Sequence, residues 1–233
     1  RVLVDMEAGI DPVWEGRVDV IHGTLTDEQV VFRAVSGVHV IIHLASAQWW
    51  GRKRDLETVD LAGTRMIVAA ARAARVGRII LLSHLGAAPS SAYPLLRVKG
   101  MVEEAVRTSG LAYTILRAGV VYGRGDSFIN HIAMQLAVTP GIFLMPGRGE
   151  VALHPIHIDD LVLAVSRSLD RVQTVDEVID FGGAEYITLE DLLLTVMRVT
   201  GIYRTIVSVP PYMLRWINNV YERLLPRTLI TSQ

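Results

Sequence analysis

"RIILLSHLGAAPSSAYPLLRVKGMVEEAVRTSGLAYTILR", residues 78–117, decides the fold. Its ends, 78–83 and 112–117, are short runs rich in Ile and Leu that read as strands. Between them, residues 94–109 read as a helix. Strand, helix and strand at this spacing make a parallel crossover unit. The same alternation runs outward to the N-terminus, with strands over 1–4, 18–23 and 38–46 and an alanine-rich helix over 55–75. The strands are nearly continuous in Val, Ile and Leu, the pattern of a sheet with both faces covered by helices. The fold expected is α/β, a doubly wound parallel sheet. A core domain over 1–125 is followed by a small mixed C-terminal lobe over 126–233, partly interleaved with the core.

The second half is more varied. Residues 127–138 read as a helix, and 139–149, with two prolines and three glycines, as a loop. Residues 154–169 read as a short strand running into a helix capped by Asp159. Residues 177–183 read as a strand ending in a glycine turn. Thr188, with Asp191 three residues on, opens a further helix in the form of a capping box. Over 211–224, Met213, Ile217, Val220, Tyr221 and Leu224 share one face of an amphipathic helix. That face packs on the domain or meets a protein partner or a membrane surface.

Composition narrows the classes. A net charge of -1 excludes a broad nucleic-acid footprint. With no cysteine, disulfides, thiolate metal sites and cysteine nucleophiles are excluded. The longest uncharged apolar run, "VHVIIHLASAQWW", is too short to span a bilayer. No signal peptide opens the chain. A strand at the first residue suggests a sequence that begins inside a domain.

Open parallel sheets bind ligands beyond the carboxyl ends of their strands. The residues there are Gly23 to Asp27, including Thr26, then Leu44 to Ala47, Ser83 to Gly86, and Arg117 to Tyr122. The small residues of "HLASA" permit close approach of a flat or phosphorylated ligand; tight strand–helix packing is the alternative. A glycine-rich turn for a pyrophosphate does not follow "RVLV", where Gly9 and Gly16 are too sparse and Pro12 breaks the pattern. Either no pyrophosphate is cradled or the cradle precedes residue 1.

A tyrosine and a lysine four apart on a helix would face the same way and share a proton-transfer task. Tyr93 and Lys99 are six apart, about 240° of net rotation and nearly opposite faces. Pro94 fits the first helical position, which leaves Tyr93 outside as cap or pre-cap. Leu95 stands four before Lys99 and carries no proton. Lys99 is a candidate ligand of a cofactor ribose, with a solvated lysine as the alternative, and Tyr93 would have to swing in from the loop.

The series "GTLTD" (23–27), "VIIHLAS" (40–46), "DLAGT" (60–64), "IILLSHLGA" (79–87), residues 93–123 and "HPIHIDDLVLAV" (154–165) resembles an atypical, extended short-chain dehydrogenase/reductase with a Rossmann-like NAD(P)-binding core. Within that superfamily the chain is most similar to the NDUFA9-like branch, which includes the 39 kDa accessory subunit of respiratory complex I. The resemblance covers essentially the whole chain. It implies that the first strand, glycine turn and first helix are missing and that "RVLVDM" is the second strand. Asp5 would then meet the adenosine ribose, a lean to NAD over NADP, and Asp27 the adenine. Leu44, Ala45 and Ser46 would line the cofactor, and Val120 would pass its nicotinamide end. Ser83 matches the catalytic serine and Lys99 the family lysine. Asp60 replaces an asparagine, Ala118 a proline, and Leu95 stands where the catalytic tyrosine should be. The segment holding His154, His157, Asp159 and Asp160 matches a structural joint, so no metal is expected.

The function expected is a dinucleotide-binding protein with weak or no redox turnover and an accessory or assembly role. The alternative is an active reductase, epimerase or dehydratase on a nucleotide-sugar, quinone or isoprenoid-like substrate, using Ser83, Lys99 and Tyr93. A third reading is a scaffold that binds no cofactor. A cytoplasmic protein is expected, with attachment at the periphery of the inner membrane as its variant.

Overall fold

The computed structural model describes residues 1–5, 12–14, 16–47 and 55–210. The helix expected over 211–224 lies outside them. The chain divides into two compact units, one of residues 1–117 and 170–179, the other of residues 118–169 and 180–233.

In the first unit, β1 (Val2–Val4) pairs in parallel with β2 (Val20–His22), and α1 (Glu28–Val35) follows. β3 (Val40–His43) leads to a π-helix, Leu56–Ala62, continued by α2 (Gly63–Ala73). Then come β4 (Arg78–His84), α3 (Pro94–Arg107) and β5 (Ala112–Ala118), with β10 (Glu177–Phe181) returning from later in the chain. The sheet comes in two pieces, β1–β2 and a four-stranded piece ordered β10–β5–β4–β3, in which β3 and β4 run parallel. One apolar core serves both: Leu3 of β1 packs against the cluster built from Val31, Ile67, Ile79, Val102 and Ile115. The α/β parallel-sheet fold read from the sequence is the fold observed.

Local chemistry explains the helix starts. Pro94 occupies the first turn of α3 and Tyr93 is its N-cap residue, extended at ψ 124°, the backbone that a following proline favours. Asp27 caps α1. The expected helix over 55–75 begins as a π-helix instead: the Gly63 amide reaches the Thr58 carbonyl five residues back, a winding that is rare in proteins.

The second unit holds β6 (Val121–Tyr122), α4 (Ser127–Val138), β7 (Ile142–Pro146), β8 (Ala152–Leu153), β9 (Ile156–His157), α5 (Ile158–Asp170), β11 (Ile187–Thr188), α6 (Leu189–Thr200) and β12 (Thr205–Val209). Two sequence expectations are corrected here. The loop over 139–149 contains a strand, because Phe143 and Met145 alternate into a core with Ile132, Leu136, Leu193 and Val196 while the backbone pairs in parallel with β12. Asp159 does not cap α5, which starts one residue earlier; its amide instead donates to His157 Nδ1 at 3.3 Å. Thr188 does cap α6, accepting from the Asp191 amide and donating to its carboxylate. No helix of the described residues is long and apolar enough to cross a membrane.

Gly100 marks the tightest approach in the first unit. A Cβ there would stand 2.3 Å from the Ala88 carbonyl carbon and 2.4 Å from the Pro89 nitrogen. In an open helix Gly→Ala stabilises by about 1 kcal/mol; here the clash with backbone opposes it, and overpacking costs about 1–3 kcal/mol. Gly100→Ala is expected to lower the urea midpoint, and an unchanged or raised midpoint would contradict this packing.

Candidate functional site

The carboxyl ends of β1, β2 and β3 carry the residues expected to meet a ligand. Asp5 follows β1 directly and is exposed. After β2, the Gly23 amide donates to the Val4 carbonyl at 2.9 Å, which ties the two strand ends together. The Thr24 and Thr26 hydroxyls lie 2.9 Å apart. Asp27 Oδ1 accepts from the amides of Gln29 and Val30 at 3.0 and 3.2 Å, so this acid caps α1. After β3, Leu44 and Ala45 are exposed and Ser46 and Ala47 half-buried.

Behind that last stretch lies a buried charge. Asp60, on the π-helix, is 1 % exposed and Lys99, on α3, is 5 %. Lys99 Nζ stands 2.9 Å from Asp60 Oδ1. The Ser46 hydroxyl donates to the same oxygen at 2.7 Å, and the Ala47 amide donates to Oδ2 at 2.8 Å. One carboxylate therefore holds Lys99 and the loop after β3 together. A charge this deep is tolerated only when paired and hydrogen-bonded.

The network continues into β3. The Thr64 hydroxyl donates to the Asp60 carbonyl, and His43 Nε2 lies 2.9 Å from the same hydroxyl oxygen. Thr64 has one hydroxyl proton, already committed, so His43 Nε2 must be the donor. This fixes the neutral tautomer with its hydrogen on Nε2.

Ser83 belongs to a separate network. Its hydroxyl donates to Glu103 Oε1 at 2.5 Å. Glu103 is buried and bound on both oxygens by Arg117, with contacts of 2.6, 2.9 and 3.2 Å. Tyr93 is 59 % exposed at the head of α3. Leu95 packs against the core. Val120, in the second unit, is half-buried and its carbonyl accepts from the Ile156 amide at 2.9 Å. The structure thus joins Ser46 to Lys99 through Asp60 and leaves Ser83 and Tyr93 out of that network.

Sequence reasoning missed Glu103 and His43, and placed Arg117 at a strand end without its pairing to Glu103. The signal for Glu103 was present: Lys99, Val102, Glu103 and Val106 share one helical face, so two charges lie on a stripe that also carries valines.

His154 and His157 are engaged locally. His154 Nε2 lies 2.7 Å from the Gly183 carbonyl, and its ring stacks on Tyr186 at 3.9 Å. Among the described residues no group of three His, Cys, Asp or Glu side chains could hold a metal.

The residues present fit the adenosine half of a dinucleotide. An exposed acid follows β1, two hydroxyls and a carboxylate follow β2, and small side chains follow β3, where a flat ligand can approach closely. No glycine turn between a strand and a helix N-terminus is found among the described residues to cradle a pyrophosphate. The α1 N-terminus is already occupied by the Asp27 carboxylate.

Such a parallel sheet with helices between its strands defines a Rossmann-like α/β protein. A sequence model of the NAD(P)H-binding family matches residues 1–131, more than half of the chain, and the chain belongs to that family. It is 26 % identical over 226 residues to the rat mitochondrial "NADH dehydrogenase [ubiquinone] 1 alpha subcomplex subunit 9", covering 95 % of this chain and 56 % of that protein. It is 25 % identical over 202 residues to "Photosystem II assembly factor Ycf39" of Cyanophora paradoxa, covering 85 % and 60 %. The chain thus spans little more than half the length of these curated relatives. Among solved structures it resembles the UDP-glucose 4-epimerase of Thermus thermophilus in complex with NAD, with a TM-score of 0.70 and 20 % identity over 90 % of this chain and 78 % of that one. At that identity the likeness shows the fold.

His43 gives the site a measurable signature. Burial, with the Lys99 charge in second place, lowers its pKa from 6.5 to about 4, against the pull of Asp60. Between those values the unfolded chain takes up a proton that the folded chain refuses. The stabilisation is full above pH 6.5 and is lost as pH falls toward about 4. It amounts to about 3 kcal/mol. Urea unfolding of wild type and His43→Asn at pH 7 and about pH 4.5 should show the wild type losing more stability by most of that amount. Parallel losses would contradict the assignment.

Proposed function

We propose that this protein holds a dinucleotide, NAD in preference to NADP, at the carboxyl ends of β1, β2 and β3, with little or no redox turnover. The supporting observation is that the groups expected to move protons are otherwise committed. Lys99 is paired with Asp60, Ser83 donates to Glu103, and the side chain in the tyrosine position, Leu95, packs in the core. Tyr93 sits exposed at a helix cap. The ligands would be Asp5 at the adenosine ribose, Thr26 and Asp27 near adenine, and Leu44, Ala45 and Ser46 along the cofactor. An acid in the place of Asp5 accepts from both ribose hydroxyls and repels a 2′-phosphate, which is the ground for NAD.

The role of the protein is then accessory or an aid to assembly. The names of two relatives, a subunit of an NADH dehydrogenase and a photosystem II assembly factor, support that reading. A protein partner or a membrane surface would be met through residues 211–224, at the periphery of a membrane. The second reading, an active reductase, epimerase or dehydratase, draws on the retention of both Ser83 and Lys99 in the sequence.

Calorimetry with NADH and NADPH, on the protein expressed from its complete coding sequence, tests the binding. Tighter binding of NADH is expected, and Asp5→Asn should narrow the gap between the two cofactors. Failure to bind either would overturn the proposal. Any residual oxidation of NADH should be unchanged in Tyr93→Phe and Ser83→Ala; a loss in either would establish the catalytic reading instead.

A further inference from the structure

The β7–β12 sheet of the second unit has one covered face and one open face. The two strands pair in parallel, with Ile142 opposite Thr205, Leu144 opposite Val207 and Pro146 opposite Val209. Side chains alternate along a strand. Phe143, Met145 and Ile206 therefore point into the core that α4 and α6 close with Ile132, Leu136 and Leu193. The other face carries Ile142, Leu144 and Val207, which are 52 %, 43 % and 38 % exposed. Parallel sheets occur almost only with both faces covered. We infer that the missing cover is the chain's own residues 211–224, laid across this face as the helix expected from the sequence. The inference is independent of the dinucleotide reading.

Two observations select that segment as the occupant. The first is where the chain leaves the sheet. β12 ends at Val209, and the Gly147 amide, just past the end of β7, donates to the Val209 carbonyl at 2.8 Å. The two strand ends are tied together one residue before the segment begins. Pro211 suits the first turn of a helix, where its missing N–H costs nothing. A chain continuing from this point returns over the strands it has just left.

The second is the match of size and chemistry. A helix over 211–224 is about 21 Å long, and strands of five residues run about 17 Å. Met213, Ile217, Val220 and Leu224 form one apolar line along the helix, and Ile142, Leu144 and Val207 present an apolar surface to receive it. The opposite side of the helix holds Arg215, Asn218, Asn219, Glu222 and Arg223. Seating the apolar line on the sheet leaves these five in water. The contact with a partner or a membrane proposed above for residues 211–224 then falls to this polar side.

The chain has no cysteine, so an introduced pair reports a single contact. In the full chain, Leu144→Cys is combined in turn with Met213→Cys, Ile217→Cys and Val220→Cys, and, for the far side, with Asn218→Cys and Glu222→Cys. After mild oxidation, non-reducing electrophoresis and mass spectrometry read the products. An intramolecular disulfide with at least one of the first three and with neither of the last two is expected. Disulfides with both sets, with neither set, or only between two copies of the chain would overturn the inference. Trypsin gives a second readout without cysteines. Leu144→Glu should raise cleavage after Arg215 and Arg223, relative to cleavage after Arg198 on α6, about tenfold or more. An unchanged ratio would overturn the inference, as would wild-type cleavage after Arg215 and Arg223 that slows only when anionic phospholipid vesicles are added, which would assign the apolar line to a membrane.

Discussion

A carboxylate taken almost wholly out of water must find donors for its oxygens, and Asp60 finds three. Two come from the backbone and side chain of a loop, and one is the ammonium of a lysine equally buried. Removing one partner of such a pair costs about 3–5 kcal/mol, because the other charge is left unpaired in low dielectric. The first unit therefore cannot fold without bringing the end of β3, the π-helix and α3 into one arrangement. The surface proposed to take a dinucleotide lies on the loop that this arrangement holds.

Glu103 and Arg117 repeat the solution one turn along α3. Here a buried carboxylate is met by a two-pronged guanidinium, the strong form of the ion pair, and by the Ser83 hydroxyl. The two networks share a consequence for chemistry. Groups that on an open site would give or take protons are tied to internal partners, while the strand ends outside them carry small or exposed side chains. On the function proposed, such a site holds a flat ligand rather than transforming it.

Much of the fold was legible because its signals are local. Runs such as "RIILLS" read as strands in isolation, Pro94 announces the start of α3, and Thr188 with Asp191 announces that of α6. β7 was not legible: Pro140, Gly141, Pro146 and Gly147 look like loop residues, and the alternation of Phe143 and Met145 acquires meaning only once β12 pairs beside it. The π-helix leaves no mark either, since its composition is that of an ordinary helix. The strand ends of the candidate site could be read from the order of motifs. The directions of buried side chains could not. Sequence shows that Asp60 and Lys99 are present; only the crossing of the π-helix with α3 brings their charges to 2.9 Å.

The account centres on a dinucleotide held at the carboxyl ends of β1, β2 and β3, over a loop fixed from behind by Asp60. Amide hydrogen exchange with and without saturating NADH tests this most directly. The account predicts slower exchange at residues 23–27 and 44–47 in the presence of NADH, with the amide of Ala47 protected even in its absence. Unchanged exchange in both segments under saturating NADH, or protection confined to the second unit, would contradict it.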